Sequence, residues 1–86
     1  MKHELYQKYE QILKIGIRKL KFYRFLGMDE KFEKTRKEID WELVRIKNDA
    51  YDSGVGLNTK YILSLESRLL KLKVDRDVAV LRRSFN

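Results

Sequence analysis

The chain is 86 residues long, with no cysteine, no proline, four glycines and a formal charge of +7 from 20 Lys/Arg and 13 Asp/Glu. That length makes one small domain, residues 1–86, able to bury roughly two-thirds of its unfolded surface with no disulfide to help. No uncharged run approaches the ~18 residues of a membrane span, and the first residues lack the apolar core of a signal peptide, so a cytoplasmic protein without a membrane span is expected.

Charge is spread unevenly. Residues 1–28 hold seven Lys/Arg and two Glu, a net +5; residues 29–52 hold six basic and eight acidic residues, a net −2; residues 53–86 hold seven basic and three acidic, a net +4. An acidic middle segment between two basic ones favours packing of all three, and the basic excess outside suits a polyanion or an acidic protein surface.

The apolar spacing predicts a first helix over about 3–26. Ile12, Leu13, Gly16, Ile17, Leu20 and Tyr23 share one broad face at about 100° per residue, which Leu5, Tyr6 and Tyr9 extend toward the N-terminus. Ile15, Phe22 and Leu26 widen it, so this helix needs two packing partners. Lys14, Arg18 and Lys21 cluster on the opposite side. Gly16 interrupts the apolar face at a cost of roughly 1 kcal/mol relative to alanine; it either admits a close helix approach or has no packing role. Gly27 is expected to stop the helix in the left-handed conformation with Met28 packing back. Asp29 is expected to cap the next helix, and so short a junction folds the second helix back antiparallel.

The second helix is predicted over about 30–52. Phe32, Ile39, Leu43, Ile46 and Ala50 form a narrow seam, flanked by Val44 and Tyr51. Arg36 falls inside this seam and must snorkel or find a carboxylate. Glu30–Lys34, Glu33–Lys37 and Arg45–Asp49 have the spacing of helix-stabilising pairs. Trp41 lies nearly opposite the seam among Lys34, Lys37, Arg45 and Asn48. There it can serve as an interface anchor, stack beside phosphate-binding charges, or lie over the Lys37 and Arg45 stems.

Residues 52–59 form the one long loop, with Asn58 expected to cap a third helix over about 59–83 and Leu57 and Ile62 placed as a hydrophobic staple. Ile62, Leu65, Leu69 and Leu72 make one stripe, with Leu63 and Leu70 beside it; it drifts into Val74, Val78, Leu81 and Phe85. Asp75-Arg76-Asp77 marks a possible bend near residue 75 or the cap of a short terminal helix, and Val78–Leu81 a possible short strand. A continuous third helix of about 40 Å overhangs the other two, and its apolar end predicts a homodimer.

Chemistry finds little purchase. The only histidine is His3 and there is no thiol, which leaves no nucleophile–base scheme and neither zinc nor di-iron ligand sets. No catalytic residue, metal ligand or cofactor is assigned. Asp75 and Asp77 read as caps or surface charges, and Gly54-Val-Gly56 lacks the lysine-and-hydroxyl end of a phosphate loop. Ala50, Gly54, Val55, Thr59 and Leu63 echo a helix-turn-helix, which would set Lys60 and Ser64 near base edges. Against that motif, Lys60 stands where a buried aliphatic residue is needed, and Asp49 and Ser53 at positions that are normally apolar.

Residues 56–72, Gly-Leu-Asn-Thr-Lys-Tyr-Ile-Leu-Ser-Leu-Glu-Ser-Arg-Leu-Leu-Lys-Leu, after an amphipathic helix, resemble the small sporulation-type aspartyl-phosphate phosphatases. The resemblance covers about half the chain and implies an antiparallel helical hairpin. The signature of that family, Ser-Gln-x-Leu-Asp, is met here by Glu66-Ser67-Arg68-Leu69-Leu70, so Leu70 replaces the aspartate and no catalytic role carries over.

The expected architecture is an elongated all-α three-helix arrangement with an N-terminal hairpin and a long C-terminal helix. The expected function is non-catalytic regulatory binding. Lys14, Arg18 and Lys21, extended by Lys60, Arg68 and Lys71, would contact nucleic acid. The alternative is a protein–protein adaptor or inhibitor docking through Trp41, Lys37 and Arg45 and the Val78, Leu81 and Phe85 end of helix 3. A third reading lays helix 1 on an anionic membrane through Phe22, Tyr23 and Phe25.

Overall fold

The computed structural model describes residues 3–85, so Met1 and Lys2 of the signal-peptide argument lie outside it. Three helices make up the fold: α1 (Glu4–Phe25), α2 (Asp29–Asp52) and α3 (Lys60–Phe85). Tyr6, Tyr9, Leu13, Ile17 and Leu20 of α1 are buried between the seams Phe32, Ile39, Leu43, Ile46 and Ala50 of α2 and Ile62, Leu65, Leu69 and Leu72 of α3. The broad face of α1 therefore has its two partners. At Gly16 the two helices approach closely: a β-carbon there would stand 2.8 Å from Cδ1 of Ile39, which favours a packing role for this glycine.

Both interhelical turns obey one local rule. After α1, Gly27 takes φ 67° while Met28 N–H donates to the Tyr23 carbonyl and Gly27 N–H to that of Arg24, a Schellman closure. After α2, Gly54 (φ 69°) repeats it, with Val55 N–H donating to Ala50 and Gly54 N–H to Tyr51, and Val55 packs on the core.

The cap assignments shift by one residue. Met28, not Asp29, is the N-cap of α2 and has no side-chain cap bond; Asp29 is the first helical residue, where its charge faces the positive end of the helix dipole. For α3 the cap is Thr59 rather than Asn58. The Thr59 hydroxyl accepts from Ile62 N–H and its carbonyl from Leu63 N–H, and the hydroxyl also bonds the phenol of Tyr6 at 3.0 Å. That tertiary bond fixes the helix start. His3 caps α1, its Nδ1 accepting from Leu5 N–H.

No strand forms over 78–81 and no separate terminal helix begins at Asp75: α3 is one uninterrupted helix of 26 residues. The cause lies across the groove. No Cα of α2 comes within 8 Å of one in α3, and the two helices are joined instead by a ladder of ion pairs. Lys47 meets Glu66 at 3.3 Å, Asp40 meets Lys73, and Arg36 meets Asp77 at 3.0 Å. Arg76 meets Glu33 and, at 3.5 Å, Asp29, which also meets Arg83 at 3.7 Å. Asp77 and Arg76 are thus rungs of the ladder, so the Asp-Arg-Asp run continues the helix. The rungs run in opposite sequence directions, so α2 and α3 are antiparallel along their length, which excludes the roughly perpendicular crossing of a helix-turn-helix. Because Asp29 reaches Arg83, the end of α3 overhangs α1 rather than α2.

Candidate nucleic-acid interface

Pairing of Tyr6 with Thr59 at one end and of Arg24 with Asp75 (4.0 Å) at the other makes α1 and α3 parallel neighbours. Between them runs a shallow cleft of about 240 Å³ lined by Lys14, Ile17, Arg18, Lys21, Leu65 and Arg68. Four of the six basic residues expected to contact nucleic acid are therefore brought together from two helices, over an apolar floor of Ile17 and Leu65. The other two are exposed but stand off the cleft. Lys71 follows Arg68 by three positions on α3, and Lys60 sits at the start of that helix.

The cleft cations differ in freedom. Lys14 lies 3.2 Å from Glu10 and 5.4 Å from the centroid of the Tyr61 ring. Hydrogen bonding to Tyr61 and then to Glu10 holds its pKa above the usual lysine value, so it stays charged across the physiological range. Arg18, Lys21 and Arg68 are exposed and present a compact positive patch.

The spacing 14, 18, 21 continues by four to Phe25, the last residue of α1, whose ring is 87% exposed. Phe22 is 57% exposed, its ring edge-on to Tyr23 with centroids 5.9 Å apart. Apolar spacing placed Ile15, Phe22 and Leu26 on the widened apolar face; all three are exposed, because α2 and α3 leave that side of α1 uncovered. Of the three residues named for an anionic membrane surface, Phe22 and Phe25 are exposed and Tyr23 packs partly against the core.

No family model, characterised protein or solved structure matches this chain.

The residues expected at a protein interface do not form one surface. Trp41, 73% exposed, stands with exposed Lys37 and Arg45 on the side of α2 away from the core. Val78, Leu81 and Phe85 are exposed on the last turns of α3. Together with exposed Leu63, Leu70 and Val74 they form a ridge on the side of α3 roughly opposite its buried stripe.

A second opening, about 510 Å³, lies between α2 and α3, with Tyr9 and Leu13 in its floor and Val44, Leu63 and Leu70 along its edges. The Tyr9 hydroxyl is buried there without a hydrogen-bond partner, below the Lys47 ammonium, which is 5.8 Å from the ring centroid. Burial pushes the Tyr9 pKa up. Among the described residues, no cluster of side chains able to hold a metal ion occurs and no helix is long and apolar enough to cross a membrane.

Proposed function

We propose that this protein is a small non-catalytic regulatory protein that binds nucleic acid along the α1/α3 cleft. The convergence of Lys14, Arg18, Lys21 and Arg68 on one cleft carries this reading. Four cations from two helices, on backbones held by a common core, offer a convergent array to backbone phosphates, and such contacts supply most sequence-independent affinity. Lys71 and Lys60 extend the positive face along α3. The test is a titration with short single-stranded and duplex oligonucleotides at two salt concentrations, comparing the native chain with a Lys14→Gln/Arg18→Gln/Lys21→Gln variant of unchanged helicity. Equal affinity of the two proteins overturns the proposal.

The ridge on α3 supports a second reading, self-association into a homodimer. Leu63, Leu70, Val74 and Leu81 recur at spacings of seven, four and seven, a coiled-coil pattern. Antiparallel pairing of two copies sets Leu63 against Leu81 and Leu70 against Val74. Sedimentation equilibrium at micromolar concentration tests it: a dimer that becomes monomeric with Leu70→Glu supports the reading, and a native monomer rejects it. A protein partner docking on Trp41 instead would be lost with Trp41→Ala, a substitution that leaves the core untouched.

A further inference from the structure

We infer that the ligand of the α1/α3 cleft is a single-stranded nucleic acid, bound with its phosphates on Lys14, Arg18 and Lys21 and a base stacked on Phe25; this rests on the nucleic-acid reading above. Two observations separate a single strand from a duplex. The first is shape. A helix that reads duplex DNA must enter a major groove about 12 Å wide, which admits one helix of about 10–12 Å diameter. The Lys14–Arg18–Lys21 stripe lies on the helix that packs against both others, with α3 alongside it and Arg68 of α3 in the same cleft. Two helices side by side, with axes about 8–10 Å apart, make a surface too wide to enter that groove. A flexible strand, by contrast, can lie along the cleft.

The second observation is the aromatic end of the stripe. Lys14, Arg18, Lys21 and Phe25 follow one line on α1 at spacings of four, three and four, so the cationic track runs directly into an 87% exposed phenyl ring. Lys14 and Lys21 are separated by about 10 Å along the helix axis at ~1.5 Å per residue. A base leaving that track meets Phe25 about one helical turn further on. In a duplex the base faces are stacked on one another and closed to the ring; in a single strand they are open, and stacking on an aromatic side chain is the usual sequence-tolerant contact. Phe22, held edge-on by Tyr23, offers a second ring beside the first.

The experiment is fluorescence anisotropy of a labelled dT12 and of a 12-base-pair duplex with the native chain, Phe25→Ala and Lys14→Gln/Arg18→Gln/Lys21→Gln. Cosedimentation with vesicles of neutral and of phosphatidylserine-containing composition runs alongside. Since Phe25 is outside the core, Phe25→Ala is expected to keep the native circular dichroism. The expected result is tighter binding of dT12 than of duplex, weakened on the order of tenfold by Phe25→Ala, with little change on duplex and loss on both in the charge variant. Equal binding of both oligonucleotides, unaffected by Phe25→Ala, overturns the single-strand inference and leaves the nucleic-acid reading standing. Binding of neither oligonucleotide overturns both, and Phe25-dependent binding to anionic vesicles in that case assigns the ring to a lipid surface.

Discussion

Cδ1 of Ile39 stands 2.8 Å from the point a β-carbon on Gly16 would occupy, with Cγ1 and Cγ2 of the same residue at 3.3 Å. The α1–α2 hairpin is therefore packed to contact at a residue that helix propensity alone would replace. Gly16→Ala gains about 1 kcal/mol of propensity but overpacks the contact by about 1–3 kcal/mol, so it is expected to be neutral or to destabilise by up to about 2 kcal/mol. Ile39→Val removes the nearest atom. In that background Gly16→Ala should become stabilising, and a urea-denaturation double-mutant cycle reads the change of sign. An identical effect of Gly16→Ala in both backgrounds would mean that the close approach carries no energetic weight.

The Tyr9 hydroxyl is buried with no hydrogen-bond partner. Leaving such a group unsatisfied costs about 1–3 kcal/mol, offset here by the attraction between the hydroxyl and the Lys47 ammonium above it, so Tyr9→Phe should change stability by no more than about 1 kcal/mol, equivalent to roughly 4–8 °C in Tm for a domain of this size.

Alkaline pH probes the same place. Burial raises the Tyr9 pKa. For Lys47 burial opposes the charge, but the neighbouring Tyr9 and Glu66 together outweigh it and the pKa is raised. Both groups hold their protons more tightly folded than unfolded. Their contributions are thus fully present below the unfolded values, about 10 for tyrosine and 10.4 for lysine, and are lost as pH rises through the folded ones. Thermal melts should show Tm falling above about pH 10, with a shallower fall in Tyr9→Phe.

Arg76 is the hub of the α2–α3 ladder. Its side chain is 12% exposed, its guanidinium carbon lies 5.0 Å from the Phe32 ring centroid, and it faces Glu33, Asp29 and Asp77. Arg76→Met keeps the packing stem but removes the cation that three carboxylates share, leaving Arg36 with Glu33 and Asp77 and Arg83 with Asp29, and should cost about 1 kcal/mol, near the exposed limit for ion pairs. Hydrogen exchange should localise the loss to the turns of α3 beyond residue 76. Uniform deprotection along the chain would show instead that the ladder merely follows global stability.

If four cations meet phosphates, log K should fall against log salt with a slope of about −3 to −4, and Arg68→Gln should flatten it by about one. Trp41 faces away from the α1/α3 cleft, so its emission should stay constant while an oligonucleotide binds. A large Trp41 response would move the contact to the outer face of α2.

Much of the architecture was legible before any coordinates. Apolar periodicity reports burial directly, so the Phe32–Ala50 seam and the Ile62–Leu72 stripe are both core as expected, and Gly27 ends α1 because its left-handed φ is open to glycine at no steric cost. The failures fall where a neighbour across space decides the outcome. Thr59 rather than Asn58 starts α3 because its hydroxyl is anchored to Tyr6, and Glu33 turns to Arg76 and Arg36 instead of the Lys37 placed one turn on along its own helix.

By itself, the sequence determined three amphipathic helices, their turns, the two-sided burial of α1 and a positive surplus on α1 and α3, because each depends on residue type and spacing within one segment. Only the tertiary structure decided that α3 is continuous, that α2 and α3 meet through charges rather than packed backbones, and that Arg68 joins Lys14, Arg18 and Lys21 while Trp41 stands apart. Those outcomes depend on the register and rotation of one helix against another. They are set by contacts such as Gly16 with Ile39 and Arg36 with Asp77, whose partners lie more than 20 residues away along the chain.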